Sequence, residues 1–216
     1  KFFFLKNIFF QSMPITIAIM GYSVAATIVF TYVGIFGEYA VVGYGSATRI
    51  EQVLLLPVLG INTAIISIIA QNIGAKYYER VEQSYYTSIK YGFIIMLIAG
   101  VLIFISADIV PKFFSSNPEV VMHGSMYLKI SAFILPSYPI FFLSNGFFMA
   151  LKKSEKAMLN NIVRNVVVPI MSFYIAKTIN ADFKTFFYIW GLFQWLISLV
   201  LIIYVKYYIK HKLVNI

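Results

Sequence analysis

Stretches without Asp, Glu, Lys or Arg recur along the whole chain, at 11–37, 52–75, 91–107, 130–151, 165–176 and 185–205. A helix crossing ~30 Å of hydrocarbon at 1.5 Å per residue needs about 20 residues. Five runs reach that length alone or with a few flanking residues, and the fifth in order does so only when extended back to about residue 157, which puts Arg164 inside a helix. Barrel strands would alternate apolar and polar residues over ~10 positions. A stretch such as 93–105 shows no alternation, and helices are then the form that satisfies the backbone in lipid. The expected spans are about 12–36, 40–74, 85–107, 119–150, 157–178 and 184–208, an all-α polytopic membrane protein built as a six-transmembrane-helix bundle.

Composition agrees: of 216 residues, 61% are hydrophobic and 12% charged, against roughly 45–50% and about 25% in soluble domains. The net charge of +9 would suggest a nucleic-acid partner in a soluble protein, but here the basic residues punctuate apolar runs. Twelve of the 17 Lys and Arg (Lys1, Lys6, Lys76, Arg80, Lys90, Lys152, Lys153, Lys156, Arg164, Lys206, Lys210 and Lys212) flank one side of the expected spans. Lys112, Lys129, Lys177 and Lys184 flank the other. By the positive-inside rule both termini are cytoplasmic, in a plasma membrane, and no nucleic acid is required. The chain opens on Lys1, without a cleavable signal pattern, as expected of the C-terminal piece of a longer protein.

Little in the sequence could carry bond chemistry. There is no cysteine, the two histidines His123 and His211 are far apart, and no glycine-rich phosphate loop is present. An enzyme is not expected, nor a metal site or cofactor, and the energy for any transport would come from an ion gradient. The costliest group is Glu51, because a charge at bilayer depth costs at least ~2.5–3.5 kcal/mol. Three readings compete: a proton or cation site lining a water-filled cavity, a structural partner of an arginine, or a group near the interface. Residues two apart do not share a helix face, so Arg164 or backbone groups suit Glu51 better than Arg49.

With Glu51, the candidates on an ion or substrate pathway are Arg49, Gln52, Asn62, Gln71, Asn72, Asn145 and Arg164. Thr63 and Ser67 read better as interhelical bonding groups, and Gly74 reads as a left-handed helix stop. Pro57, Pro136, Pro139 and Pro169 fall inside expected spans, where each removes a backbone hydrogen bond; they mark either ordinary curvature or hinges. Of the mid-helix tyrosines, Tyr22, Tyr32, Tyr138 and Tyr174 could line a cavity that takes amphipathic cations through their ring faces, with packing the commoner role.

The block Gly43-Tyr44-Gly45-Ser46-Ala47-Thr48-Arg49-Ile50-Glu51, followed by Leu56-Pro57-Val58-Leu59-Gly60-Ile61-Asn62-Thr63-Ala64 and Ala70-Gln71-Asn72-Ile73-Gly74-Ala75 with Arg80, resembles multidrug and toxic compound extrusion (MATE) transporters, and more narrowly their DinF-like branch. Phe113 to Pro118, Ala150-Leu151, Asn161, Arg164 and Pro169 continue the order. Lys152-Lys153-Ser154 stands where the family commonly has a glycine-rich turn. The resemblance implies one of two six-helix lobes around a central cavity, here the second. It also implies export of amphipathic or cationic compounds in exchange for Na⁺ or H⁺ by alternating access.

The implied partners are membrane lipid, a small-molecule substrate, and either an absent N-terminal lobe or a second six-helix lobe. Family members that bind the ion in the second lobe use carboxylates on its first and fourth helices. Segments 12–36 and 130–151 hold none, so the resemblance places the coupling ion chiefly in the other lobe, with Glu51 the one acid left at depth. Two rivals predict different behaviour: a lipid-linked oligosaccharide flippase, whose cavity needs several cationic residues, and a non-transporting membrane scaffold.

Overall fold

The computed structural model describes residues 2–212, with side chains described at Met13 and Thr16 and from Met20 to His211. Helices account for nearly all of it: α1 (Phe2–Gly34), α2 (Glu38–Gly74), α3 (Tyr78–Ser106), α4 (Pro118–Ile134), α5 (Ser137–Ala150), α6 (Ser154–Ile162), α7 (Val168–Thr178) and α8 (Phe183–Lys212). A 3₁₀ turn at Val110–Phe113 lies between α3 and α4, and a π-helical turn at Val163–Val167 joins α6 to α7. Four helical stretches are long and apolar enough to cross a membrane: Glu38–Gly74, Tyr78–Ser106, Ser154–Thr178 and Phe183–His211. The bent pair α4–α5 makes a fifth, and the described apolar part of α1 is Met20–Gly34.

Two spans depart from the sequence expectation in an informative way. The stretch 119–150 is broken: α4 and α5 meet at 54°. The break falls on Leu135 and Pro136, where proline supplies no N–H to the preceding turn and its ring displaces the carbonyl four residues back. Pro169 acts differently: it sits buried just inside α7, and the turn before it widens so that the Val168 N–H bonds to the Val163 carbonyl, five residues back. The wider turn accommodates the ring without ending the helix. At Pro57 no break occurs, and α2 runs on through it.

Short turns carry the helix reversals, and three of them use the same cap. After α2, the Lys76 N–H bonds to Ile73 O and the Tyr77 N–H to Asn72 O, while Lys76 takes φ 62°. The left-handed stop is therefore Lys76 and not Gly74, since the 6→1 and 5→2 bonds place it at the residue after the cap. Lys152 (φ 57°) and Asn180 (φ 50°) repeat the pattern after α5 and α7.

The bundle is organised around α2, which packs against α3, α4 and α5, while α1 lies on α6 and α7, and α8 on α5, α4 and α7. Small residues permit these approaches, as they must where lipid offers no hydrophobic drive between helices. A Cβ on Gly43 would stand 2.9 Å from the Gly124 backbone nitrogen, and one on Gly100 would stand 2.5 Å from the Ala132 carbonyl oxygen. Two apolar clusters fill the interior. One contains Val29, Tyr44, Tyr127, Leu135 and Phe187; the other contains Ile65, Tyr85, Leu143, Phe147 and Tyr208.

Candidate functional site: a tyrosine-bound carboxylate at the helix break

Glu51 stands 13 residues into α2, about 20 Å along the helix from Glu38, with its side chain turned inward between α4 and α5. It is 6% exposed. Its two oxygens accept hydrogen bonds from different hydroxyls, Oε2 from Tyr127 on α4 and Oε1 from Tyr138 on α5. Hydrogen bonds to a charged acceptor are worth roughly 1.5–3 kcal/mol each, which offsets a burial cost of the same order. Ser131 on α4 lies close to the same carboxylate. The ring of Tyr44 meets that of Tyr127 edge to face, with centroids 4.8 Å apart, so packing limits the swing of the first donor.

Arg164, the second buried charge, sits in the π turn and is 7% exposed. Its guanidinium carbon lies 4.1 Å above the Phe141 ring centroid, 4.6 Å above Tyr138 and 5.5 Å above Phe142. A desolvated arginine over aromatic faces gains about 2 kcal/mol or more. The expected partnership with Glu51 is therefore indirect: no ion pair joins the two, and Tyr138 stands between them, bonded to the carboxylate and stacked under the cation. Arg164 Nη1 is buried without a hydrogen-bond partner. Among the described residues the ion pair present is Lys129–Asp108, at 2.7 Å.

The remaining sequence candidates divide into three groups. Arg49 and Gln52 flank Glu51 but face outward, as residues on other faces of one helix must. Asn62 lies against Gly146, next in sequence to Asn145, and Asn160 Nδ2 donates to Asn145 Oδ1 at 3.1 Å; Asn62 Oδ1 and Asn145 Nδ2 stay buried and unpartnered. Gln71 and Asn72 close α2, bonding locally to Ser67 (3.4 Å) and Ile68 O (2.8 Å). Twenty residues separate Gln71 from Glu51, about 30 Å of helix, so they share no site with it. Of the four prolines, Pro136 and Pro139 lie nearest the carboxylate in sequence through Tyr138, and Pro169 follows the turn that carries Arg164.

Tyr138, a candidate ring face for a substrate cation, instead lies under the chain's own Arg164 and donates its hydroxyl to Glu51. Tyr32 is buried and stacked on Phe186 at 4.1 Å, whereas Tyr22 and Tyr174 are 57% and 69% exposed. Tyr127, Ser131 and Tyr44 were not anticipated as site residues. Among the described residues no group of three or more His, Cys, Asp or Glu could hold a metal ion.

Fold and site together define a polytopic helical membrane protein with an ionisable pair locked inside its bundle. The MatE family model matches residues 14–175, and the chain belongs to that family, which comprises membrane transporters and not enzymes. Over 149 residues it is 27% identical to the probable multidrug resistance protein YpnP of Bacillus subtilis, covering 69% of this chain and 32% of that protein. Over 168 residues it is 22% identical to the multidrug export protein MepA of Staphylococcus haemolyticus, covering 77% and 37%. A multidrug resistance MATE family transporter solved in an outward-facing conformation superposes with a TM-score of 0.90 at 22% identity, over 95% of this chain and 47% of that one. The chain thus spans about a third of these curated relatives and about half of the solved transporter.

Proposed function

We propose that the chain is the C-terminal six-helix lobe of a secondary-active efflux antiporter in the plasma membrane, with both termini cytoplasmic. The whole protein exports amphipathic or cationic compounds in exchange for Na⁺ or H⁺ by alternating access, its other lobe being a second six-helix unit. The half-length match to a two-lobed transporter and the names of the curated relatives support this reading.

The observation that carries the mechanism is the position of Glu51. Its carboxylate is bonded to Tyr127 before the break and to Tyr138 after it, so one ionisable group spans the 54° corner. As a carboxylate it accepts from both hydroxyls. Protonated, it becomes a donor on one oxygen, one tyrosine must reorient, and Arg164 loses the charge it faces across Tyr138. Protonation, or occupation by a cation, then changes how tightly α2 holds the two arms of the broken span, which is a two-state element that a coupling ion can bias.

The test is gradient-driven efflux of a fluorescent cation from proteoliposomes holding the full-length protein. Glu51→Gln is expected to reduce the dependence on the pH or Na⁺ gradient while the protein stays folded. Gradient dependence undiminished in that variant removes Glu51 from coupling, and absence of gradient-dependent flux in the unaltered protein overturns antiport altogether.

A further inference from the structure

At the end of the bundle opposite the Lys76 and Lys152 turns, a groove of about 810 Å³ opens between the α3–α4 connection, α4 and α8. Three of its lining residues are lysines, Lys112, Lys129 and Lys184, against one acid, Asp108, so its lining carries 3 − 1 = +2. This is the end on which basic residues are scarce, which makes their convergence notable. Asp108 is held below the usual carboxylate range by hydrogen bonds from Lys129 and Ser125, and it fixes the Lys129 ammonium at 2.7 Å while Lys112 and Lys184 remain exposed.

The rest of the lining is of another kind. Met122 and Met126, about one and two turns into α4, and Tyr188 from α8 form an apolar wall between the groove mouth and Lys129, with Ile130 just beyond that lysine. Beside the groove, the connection carries Phe113 and Phe114, which are 82% and 52% exposed. Tyr188, 56% exposed on α8 close to Lys184, is of the residue type enriched at the level of lipid headgroups. A soluble anion would find the lysines but would leave the apolar wall bare, whereas a lipid matches both halves.

We propose that this groove binds an anionic membrane phospholipid, with the exposed Lys112 and Lys184 at its phosphate and an acyl chain passing Met122, Met126 and Tyr188 along the α4–α8 wall. Ser115 and Ser116, which also line the groove, supply hydroxyl donors to the headgroup. The site is separate from Glu51 and stands whether or not the chain transports.

Native mass spectrometry of the delipidated full-length protein tests it, with phosphatidylglycerol and phosphatidylcholine of identical acyl chains offered in turn. Phosphatidylglycerol should be retained at least about fivefold better, each groove lysine contributing roughly a fivefold factor near the membrane surface. The Lys112→Gln/Lys184→Gln variant, which alters only exposed side chains, should lose that preference, and Lys76→Gln/Lys152→Gln at the other end should keep it. Inorganic phosphate at millimolar concentration should not displace the lipid. Equal retention of the two lipids, an unchanged preference in the groove variant, an equal loss in the control variant, or displacement by phosphate each overturns the proposal.

Discussion

Glu51 and Tyr138 are joined across the corner of a broken span: the carboxylate belongs to the unbroken α2, and the hydroxyl to the first turn of α5 just beyond Pro136. With Tyr127 on the other side of the corner, the arrangement makes one ionisable group the common anchor of three helices. Removing either donor leaves a buried carboxylate underbonded, which costs about 1–3 kcal/mol or more for a charged group. Tyr138→Phe and Tyr127→Phe should each lower the thermal stability of the detergent-solubilised protein. Glu51→Gln should cost less, because an amide still accepts from one hydroxyl. A ranking in which Glu51→Gln is the most damaging would contradict the hydrogen-bond assignment.

Arg164 and Glu51 communicate through Tyr138 and not through an ion pair. A double-mutant cycle on thermal unfolding, using Glu51→Gln and Arg164→Gln, should return a coupling within the range of roughly 0.5–3 kcal/mol expected of residues in one network. Repeating the cycle in a Tyr138→Leu background should bring it toward zero. A coupling that survives this change would mean direct attraction across the gap. Arg164→Lys should not restore stability, since a lysine cannot lay a planar cation over Phe141 and Tyr138 at once.

The close passage of α3 and α4 rests on Gly100. A Cβ there would stand 2.5 Å from the Ala132 carbonyl oxygen, so Gly100→Ala must push the two backbones apart and should destabilise by about 1–3 kcal/mol. Gly60 is the contrasting position, with nothing within 4 Å of its Cβ site. Gly60→Ala should be neutral or stabilise by up to about 1 kcal/mol through helix propensity. Melting curves of the two variants in one detergent provide the comparison.

Lys152 occupies a left-handed conformation that costs a residue with a Cβ roughly 1–2 kcal/mol. Lys152→Gly relieves that strain, although the glycine also widens the unfolded ensemble. A net gain of about 0.5–1 kcal/mol is expected, visible as a raised melting temperature, while Lys153→Gly next to it should give no gain.

The all-α membrane character was legible in the sequence because lipid excludes both charge and unpaired backbone, so uninterrupted apolar runs report helices directly. Arg164 was legible as an intramembrane charge for the same reason. Its surroundings were not, since cation–ring stacking depends on which faces of α5 and α6 meet. Tyr127 escaped notice because Lys129 ends the apolar run at residue 130 and leaves the tyrosine outside it, although α4 carries it inward. Pro136 and Pro57 looked alike in the sequence, each inside an expected span, yet only Pro136 stands at a break while α2 runs on through Pro57; a proline reports a missing donor and not what the helix does about it. Gly74 misled for a related reason, since a lysine two residues later took the left-handed turn.

The uninterrupted course of α2 has a mechanical consequence. At 37 residues the helix is about 55 Å long, far beyond the ~30 Å of hydrocarbon, and Glu51 grips it well away from its far end. The 23 residues from Glu51 to Gly74 form a stiff arm of about 35 Å, so a tilt of about 10° at the carboxylate carries the tip through about 6 Å. Lys76 and Arg80 sit just past that tip, so under the coupling proposed for Glu51 a proton gained or lost deep in the lobe would be read out as a displacement of positive charge at its surface, with Ile65 and Ile69 carried along in the second cluster.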